Sequence, residues 1–436
     1  MLSSPTTSVR SRWWQSSFVS DYGSVAILLL LCLYYSWATL SEQHPITTSA
    51  GRKLADSILR EHGENANVLI VVRTTSQDEA FSEAVASRLK QRTNGEVFTE
   101  RGTPVSVRKR LKALAESGTP LAAIATHQPS SIWGPLQPDA LRKLGEEYPL
   151  LHGVKVSVPK SYVWPSFLTR ENLLNVINQN ADIAIIAIGM TLVIISAGID
   201  LSVGSLLALS GVTTAIAIEQ WGGGEDAGIV SLLFCSLVGL LLCGGCGVAN
   251  GLMVTWLRVP AFVVTLGMMM VARGLALIVA VQYQKMLSGG TTEGTPEAIS
   301  IHAESFGWLG NGMTLGIPNP IILMLTLYVL THLLMSRTSL GRYIYAVGGN
   351  PEAARLSGVP VYGVLIFVYA LCGVMAGLGG IVDASRFEGG RPNAGEMYEL
   401  QVIAAVVVGG TSLAGGEGKV FGTLIGAMII AVIQNG

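Results

Sequence analysis

Charge is what this sequence has least of: of its 436 residues only 13% are Asp, Glu, Lys or Arg, against about 25% in an ordinary soluble domain. Its 28 basic and 29 acidic residues leave a net charge of −1. That is no footprint for neutralising phosphates, so nucleic acid is excluded as a partner. Cysteine is also sparse. The five, Cys32, Cys235, Cys243, Cys246 and Cys372, all sit in apolar runs, so no disulfide framework is implied. Cys243 and Cys246 form a C-x-x-C, but among Leu, Gly and Val it reads as small-residue packing rather than a zinc or redox site.

What the chain has instead is apolar residues, 50% of the total, and 51 glycines. Stretches of about 20 apolar residues cross a hydrocarbon core of about 30 Å as helices, because only a helix satisfies its own backbone there. Nine such stretches can be read: Asp21 to Leu40, Leu173 to Gly198, Ser202 to Ile218, Ile229 to Leu257, Ala261 to Val281, Ile321 to Met335, Val361 to Val382, Leu400 to Val408 with its flanks, and Val420 to Ile433. The first lacks a small-residue cleavage site close behind its apolar run and reads as a retained anchor. Placing Arg10 and Arg12 inside puts Arg258, Arg337, Arg342, Arg355 and Lys419 inside as well, with Lys285, Arg386 and Arg391 in short outside loops. The excess of basic residues therefore predicts a cytoplasmic N-terminus. The chain stops at Gly436 directly after an apolar run, which predicts truncation with a further helix missing.

Sixteen of the 28 Lys and Arg lie between Ser41 and Phe167. This block alternates strand and helix signals: Val68-Leu-Ile-Val-Val72, Ser76 to Gln91, Glu96-Val-Phe-Thr, Val105 to Glu116, Leu121 to Thr126, Pro138 to Glu147 and Lys155-Val-Ser-Val. Such an order predicts a parallel sheet. Arg73-Thr-Thr-Ser-Gln follows the first strand where a glycine-rich phosphate loop would be needed, so dinucleotide binding is not supported. The expected organisation is a cytoplasmic tail (1–20), a first transmembrane helix (21–40), an extracytoplasmic α/β domain (41–167) and a helical polytopic membrane domain (168–436).

The most informative stretch is Arg342-Tyr-Ile-Tyr-Ala-Val-Gly-Gly-Asn350-Pro-Glu-Ala-Ala-Arg-Leu-Ser-Gly358-Val-Pro, in the inside loop after the sixth span. Asn350 suits an N-cap, Pro351 the first helical position, Glu352 the positive end of the helix dipole and Arg355 the negative end. Gly358 suits the left-handed position before Pro360. The segment, through Ala353, Ala354, Leu356 and Ser357, is thus a separately capped helix of about two turns, roughly 10 Å long. A rigid knob docking into another protein needs such punctuation; a short amphipathic interfacial helix is the plainer reading.

That loop, with Ser196-Ala-Gly-Ile-Asp-Leu-Ser-Val-Gly-Ser205, Leu257-Arg-Val-Pro-Ala-Phe-Val-Val-Thr-Leu-Gly267 and Val408-Gly-Gly-Thr-Ser-Leu-Ala-Gly-Gly416, resembles the ribose/xylose/galactoside-type ABC transporter permease family over about Glu171 to Gly436. The resemblance implies a membrane subunit of a bacterial inner-membrane sugar importer. It also implies a second permease copy, a cytoplasmic ATP-binding subunit that carries ATP and Mg, and an extracytoplasmic sugar-binding protein. In that family the loop matching Asn350 to Gly358 is the coupling helix seated in the ATPase. Family members usually have only a short connection where this chain carries the α/β block, and usually continue beyond the position of Gly436.

Asp200 can cap the helix that follows it, with Ser202 and Ser205 supplying further oxygens; the resemblance adds a gating or ATPase-contact role at this helix break. In the second span Asn175, Asn178 and Asp182 recur at i, i+3 and i+7 as a polar stripe that should not face lipid. Asp182 lies roughly 16 Å from the outer end of its span and Arg273 about 20 Å from the inner end of the fifth. Comparable depth predicts that Arg273 pairs with Asp182 or an equivalent acid beside a translocation route, or that the pair only fixes helix register. Gly415-Gly-Glu-Gly-Lys419-Val is a false phosphate loop, since Leu413 and Val420 stand where glycine and Ser or Thr are required. Gly247-x-x-x-Gly251, Gly373-x-x-x-Gly377 and Gly422-x-x-x-Gly426 read as helix-packing patterns. The expected protein is a permease, not an enzyme, binding no cofactor or metal itself. An ion-coupled secondary transporter with Arg273 and Asp182 as its relay is the main alternative, and a membrane-anchored sensor a third.

Overall fold

A computed structural model describes residues 17–289 and 297–435. The tail with Arg10 and Arg12, on which the expected orientation leans, lies outside the described residues, as does Gly436. The chain divides into two compact units, Ala38–Ser166 and the remainder.

In Ala38–Ser166 four parallel strands form one sheet, in the order Val97–Arg101, Val68–Val72, Ala123–Thr126, Lys155–Ser157. All five residues of Val68–Val72 are buried because both faces of the sheet are covered. Val68, Ile70 and Val72 point to one face, against Leu54 and Ile58 of the helix Thr48–His62 and Phe81, Val85 and Leu89 of Ser76–Lys90. Leu69 and Val71 point to the other, against Val107, Leu111 and Leu114 of Pro104–Glu116 and Leu141 and Leu144 of Pro138–Glu147. The predicted strands and helices of this block are all present. Thr48–His62, with Thr47 as its cap, was not foreseen. Nor was the antiparallel ribbon of Leu40–Gln43 with Tyr162–Pro165, which brings the two ends of the unit together.

The other unit is helical. Among the described residues five helices are long and apolar enough to cross a membrane: Val203–Gln220, Ile229–Thr255, Ala261–Leu287, Asn319–Arg337 and Val361–Arg386. A sixth candidate is a broken pair, Arg170–Gln179 and Ala181–Ile195, bent by 48°. Gly23–Ala38, Tyr398–Val408 and Val420–Asn435 are shorter apolar helices. The nine expected stretches therefore all fall on helices, while length and composition qualify five, or six with the broken pair, as spans. The chain is accordingly a polytopic helical membrane protein.

Ala181–Ile195 is buried along its whole length and packs against Val361–Arg386, Tyr398–Val408, Asn319–Arg337 and Val420–Asn435 in the main core. The glycine patterns explain how closely backbones meet. A Cβ on Gly247 would overlap the Tyr369 carbonyl, and one on Gly373 the Cys243 carbonyl, so Ile229–Thr255 and Val361–Arg386 touch backbone to backbone. A Cβ on Gly426 would likewise overlap the Ala405 carbonyl, where Val420–Asn435 meets Tyr398–Val408.

Candidate functional site

The knob is built as its residue types dictate. Asn350 Oδ1 accepts the amides of Glu352 at 3.1 Å and Ala353 at 3.0 Å, Pro351 takes the first helical position, and the helix runs Pro351–Leu356. Glu352 and Arg355 pair at 2.6 Å on its exposed surface, and Gly358 terminates it at φ +85°. Ala354 is buried at 4% while Leu356 is 80% exposed, so one face seats on the protein and the other stands free. A second capped helix, Ser339–Gly349 with Thr338 as its cap, leads into the knob and was not anticipated. At its end a Cβ on Gly348 would overlap the Ile195 carbonyl, which also accepts the Gly416 amide at 2.8 Å. The false phosphate loop is thus a turn packed against the knob's lead-in.

Between Ile195 and Val203 the chain unwinds. Asp200 is wholly buried, and its Oδ1 accepts from the Ser202 amide at 2.9 Å and the Ser202 hydroxyl at 2.6 Å. The N-cap of Val203–Gln220 is Ser202 rather than Asp200, and its hydroxyl is engaged by Asp200 and by Asn250 Nδ2 at 3.2 Å instead of by a first-turn amide. Ser205 is buried in the first turn. Tyr369 and Cys372 are buried here too, and a Cβ on Gly198 would run into the Tyr369 hydroxyl. Thr265 donates to the Ile199 carbonyl at 3.3 Å, so three further spans fix this break.

The expected pairing of Arg273 with Asp182 is corrected. Arg273 Nη1 donates to the carbonyls of Pro392 at 2.7 Å and Ala394 at 2.8 Å. These belong to the irregular segment 387–397, where Glu388, Gly395 and Met397 hold positive φ. Irregular backbone that makes few bonds of its own needs donors from elsewhere, and Arg273 supplies two. Asp182 instead has Arg386 Nη1 at 3.7 Å and the Tyr398 hydroxyl at 3.4 Å. Height along a helix, which the sequence gives, fixes neither azimuth nor the path of an irregular segment.

The polar stripe is also corrected, because it does not lie on one continuous helix. Asn180 interrupts the span: its side-chain amide donates to the Val176 carbonyl at 2.9 Å, the kind of local bond that competes with helix. Asn175 and Asn178 belong to the first half and Asp182 to the second. Arg386 Nη2 donates to the Asn178 carbonyl at 2.6 Å and Nη1 to the Gln179 carbonyl at 3.2 Å. One turn back, buried Asp383 pairs with Arg391 at 2.6 Å, and Arg391 lies over the Phe387 ring at 3.7 Å. Arg386, Asp383, Arg391 and Tyr398 are thus the members of this cluster that the sequence reading missed. The signal was available, since Arg386 closes a long apolar helix and is followed closely by a second arginine. Among the described residues no group of three or more His, Cys, Asp or Glu is placed to hold a metal ion.

Residues 172–436 match the family model described as branched-chain amino acid transport system / permease component. The chain is 44% identical over 276 residues to the ribose import permease protein of Escherichia coli (strain K12), covering 62% of this chain and 79% of that one. It is 40% identical over 296 residues to the ribose import permease protein of Bacillus subtilis (strain 168), covering 68% and 85%. To the xylose transport system permease protein of E. coli (strain K12) it is 34% identical, covering 64% and 82%. No solved structure matches the chain.

Proposed function

Because the chain belongs to the branched-chain amino acid transport system / permease component family, we propose that it is the membrane permease subunit of an ATP-binding-cassette importer for a monosaccharide such as ribose, xylose or allose. The sugar class comes from the printed names of its relatives. The observation that carries the reading is the separately capped helix Pro351–Leu356, with its Glu352–Arg355 pair and exposed Leu356. A cytoplasmic ATP-binding subunit grips this helix as the coupling helix Asn350 to Gly358 and binds ATP and Mg. A second permease copy completes the pathway, and an extracytoplasmic sugar-binding protein delivers the sugar.

The chain crosses a bacterial inner membrane nine times, with the N-terminus cytoplasmic and the α/β unit extracytoplasmic. The three shorter apolar helices complete the six longer candidates. Asn175 and Asn178 stand beside the route with Asp182 held by Arg386 at the joint, Arg273 braces the irregular segment, and Asp200, Ser202 and Ser205 hold the inner helix break that gates it. Co-purification with an ATP-hydrolysing subunit, repeated with Glu352 and Arg355 replaced by Ala, tests the proposal. Capture by the unaltered chain and loss in the double variant are expected. Uptake that survives ATP depletion and collapses with the ion gradient would instead favour the secondary transporter.

A further inference from the structure

The helix Val361–Arg386 joins the knob at one end to the broken span at the other. Four residues separate it from Leu356, and they are held tightly: the Val359 amide donates to the Ala354 carbonyl and the Gly358 amide to the Arg355 carbonyl, both at 3.0 Å. A turn so bonded carries displacement rather than absorbing it. The helix has 26 residues, about 39 Å at 1.5 Å per residue, enough to run from one membrane face to the other. Along that length Gly373 and Gly379 lie against the Cys243 backbone and against Ile186 of the buried half-span.

At the far end Arg386 meets both sides of the Asn180 break. Two of its nitrogens donate to the carbonyls of Asn178 and Gln179 at the end of the first half, where the Asn178 carbonyl otherwise has only the amide of Asn180. The same guanidinium is the cation facing Asp182 in the first turn of the next half, where the side chains are 12% and 1% exposed. Asp383, one turn earlier, already has Arg391. Arg386 is therefore the charged contact between the long helix and the joint of a span bent by 48°, beside the apolar packing of Gly379 on Ile186.

We propose that Arg386 is the positioning residue that passes movement of the Pro351–Leu356 helix, through Val361–Arg386, to the break at Asn180, and so sets the angle between the two halves of that span. When the long helix shifts, Arg386 either drags Arg170–Gln179 with it or releases two carbonyls and strands a buried carboxylate. The second outcome is costly, since a buried ion is left without its partner. The joint thus has two discrete arrangements, engaged and released. In the engaged arrangement the Tyr398 hydroxyl, 3.4 Å from Asp182, also supports the carboxylate.

This inference rests on the reading of the chain as an ATP-driven permease, and the test separates the two. The full chain is reconstituted in liposomes with its ATPase and sugar-binding partners. Sugar imported per ATP hydrolysed is measured with D-ribose, D-xylose and D-allose. Arg386→Gln is expected to lower that ratio by roughly tenfold, within the usual range of coupling energies, while ATP hydrolysis continues. Arg386→Lys, which still donates to carbonyls and faces Asp182, restores most of it. A purely structural role would reduce the yield or melting point of the complex and leave the ratio alone, so an unchanged ratio in Arg386→Gln overturns the proposal. Should that variant fail to assemble, hydrogen exchange on the unaltered complex decides. Protection at Asn180–Ile183 must change between nucleotide-free and ATP-bound states along with that at Pro351–Leu356; a change at the knob alone overturns the proposal. An unaltered complex that imports none of the three sugars with ATP sinks the permease reading itself.

Discussion

Asn350 accepts two first-turn amides with one side-chain oxygen, so the knob's start depends on a single carboxamide. Replacing such a cap by Ala costs about 1 kcal/mol, a large share of the stability of a six-residue helix. Asn350→Ala is expected to weaken capture of the ATPase subunit several-fold in pull-down titrations, whereas Asn350→Asp, which keeps an acceptor, retains it. A second expectation at this scale concerns glycine. Gly247→Ala must push the Tyr369 backbone away, at a cost of about 1–3 kcal/mol for overpacking, and so lowers the melting point of the detergent-solubilised chain. Gly245→Ala, two residues earlier and with open space around it, should leave that melting point alone or raise it slightly.

Among the elements, the strands of the α/β unit end in a buried ionic cluster that makes the unit sensitive to acid. His127, directly after the strand Ala123–Thr126, has Nε2 3.0 Å from Asp78 Oδ1, and its Nδ1 accepts the Ser130 amide at 3.3 Å. Neutral imidazole is required for that second bond, because protonation would set an N–H against an N–H. Burial pushes the His127 pKa down and Arg73 adds to this, with Asp78 only partly opposing. Burial raises the Asp78 carboxyl, but the bonds from Arg73 and Thr75 and the nearby His127 outweigh it, so its pKa lies below the ordinary value. With both folded-state values depressed, the unfolded chain binds more protons as the pH falls, first below about 6.5 through His127 and then below about 4 through Asp78. Stability is therefore full above neutrality and declines on acidification. Hydrogen exchange at Val68–Val72 is expected to quicken between pH 7.5 and 5.5 on top of the intrinsic pH trend, and His127→Gln should flatten the excess.

What could be read in the sequence divides along the same lines. Periodicity found the strands and the long helices because burial on both faces, or in lipid, writes itself as continuous apolar runs such as Val68–Val72 and Ile229–Thr255. Capping chemistry found Pro351–Leu356 because Asn350 and Gly358 act within a few residues of where they stand. The ribbon Leu40–Gln43 was missed because its partner lies some 120 residues away and Leu-Ser-Glu-Gln carries no alternation. The break at Asn180 was missed because Asn175, Asn178 and Asp182 sit at helical spacing, which suggests an unbroken helix, whereas the carbonyls at the break are bonded by Arg386 from a distant segment. Arg273 was given the wrong partner because its real acceptors, the Pro392 and Ala394 carbonyls, are backbone atoms, present at every position and therefore silent in a sequence.

For the molecule as a whole, the ribbon makes a clean excision possible. Gln43 and Tyr162 are register partners, about 5 Å apart as neighbouring strands are, so a bridge of a few Gly and Ser residues can replace 44–161 without stretching either end. Because the two units each have their own core, the shortened chain is expected to insert, assemble and capture the ATPase as before. The excised unit stands outside the family-matched residues 172–436, and the shortened form tests whether it docks the sugar-binding protein or only spaces the chain. If the docking role holds, the shortened permease needs a higher concentration of the sugar-binding protein to reach half-maximal uptake, with little change in the rate at saturation. A half-maximal concentration equal to that of the full chain would reduce the α/β unit to a spacer. A fall in the saturated rate with no shift in that concentration would place its contribution after docking, in the opening of the route.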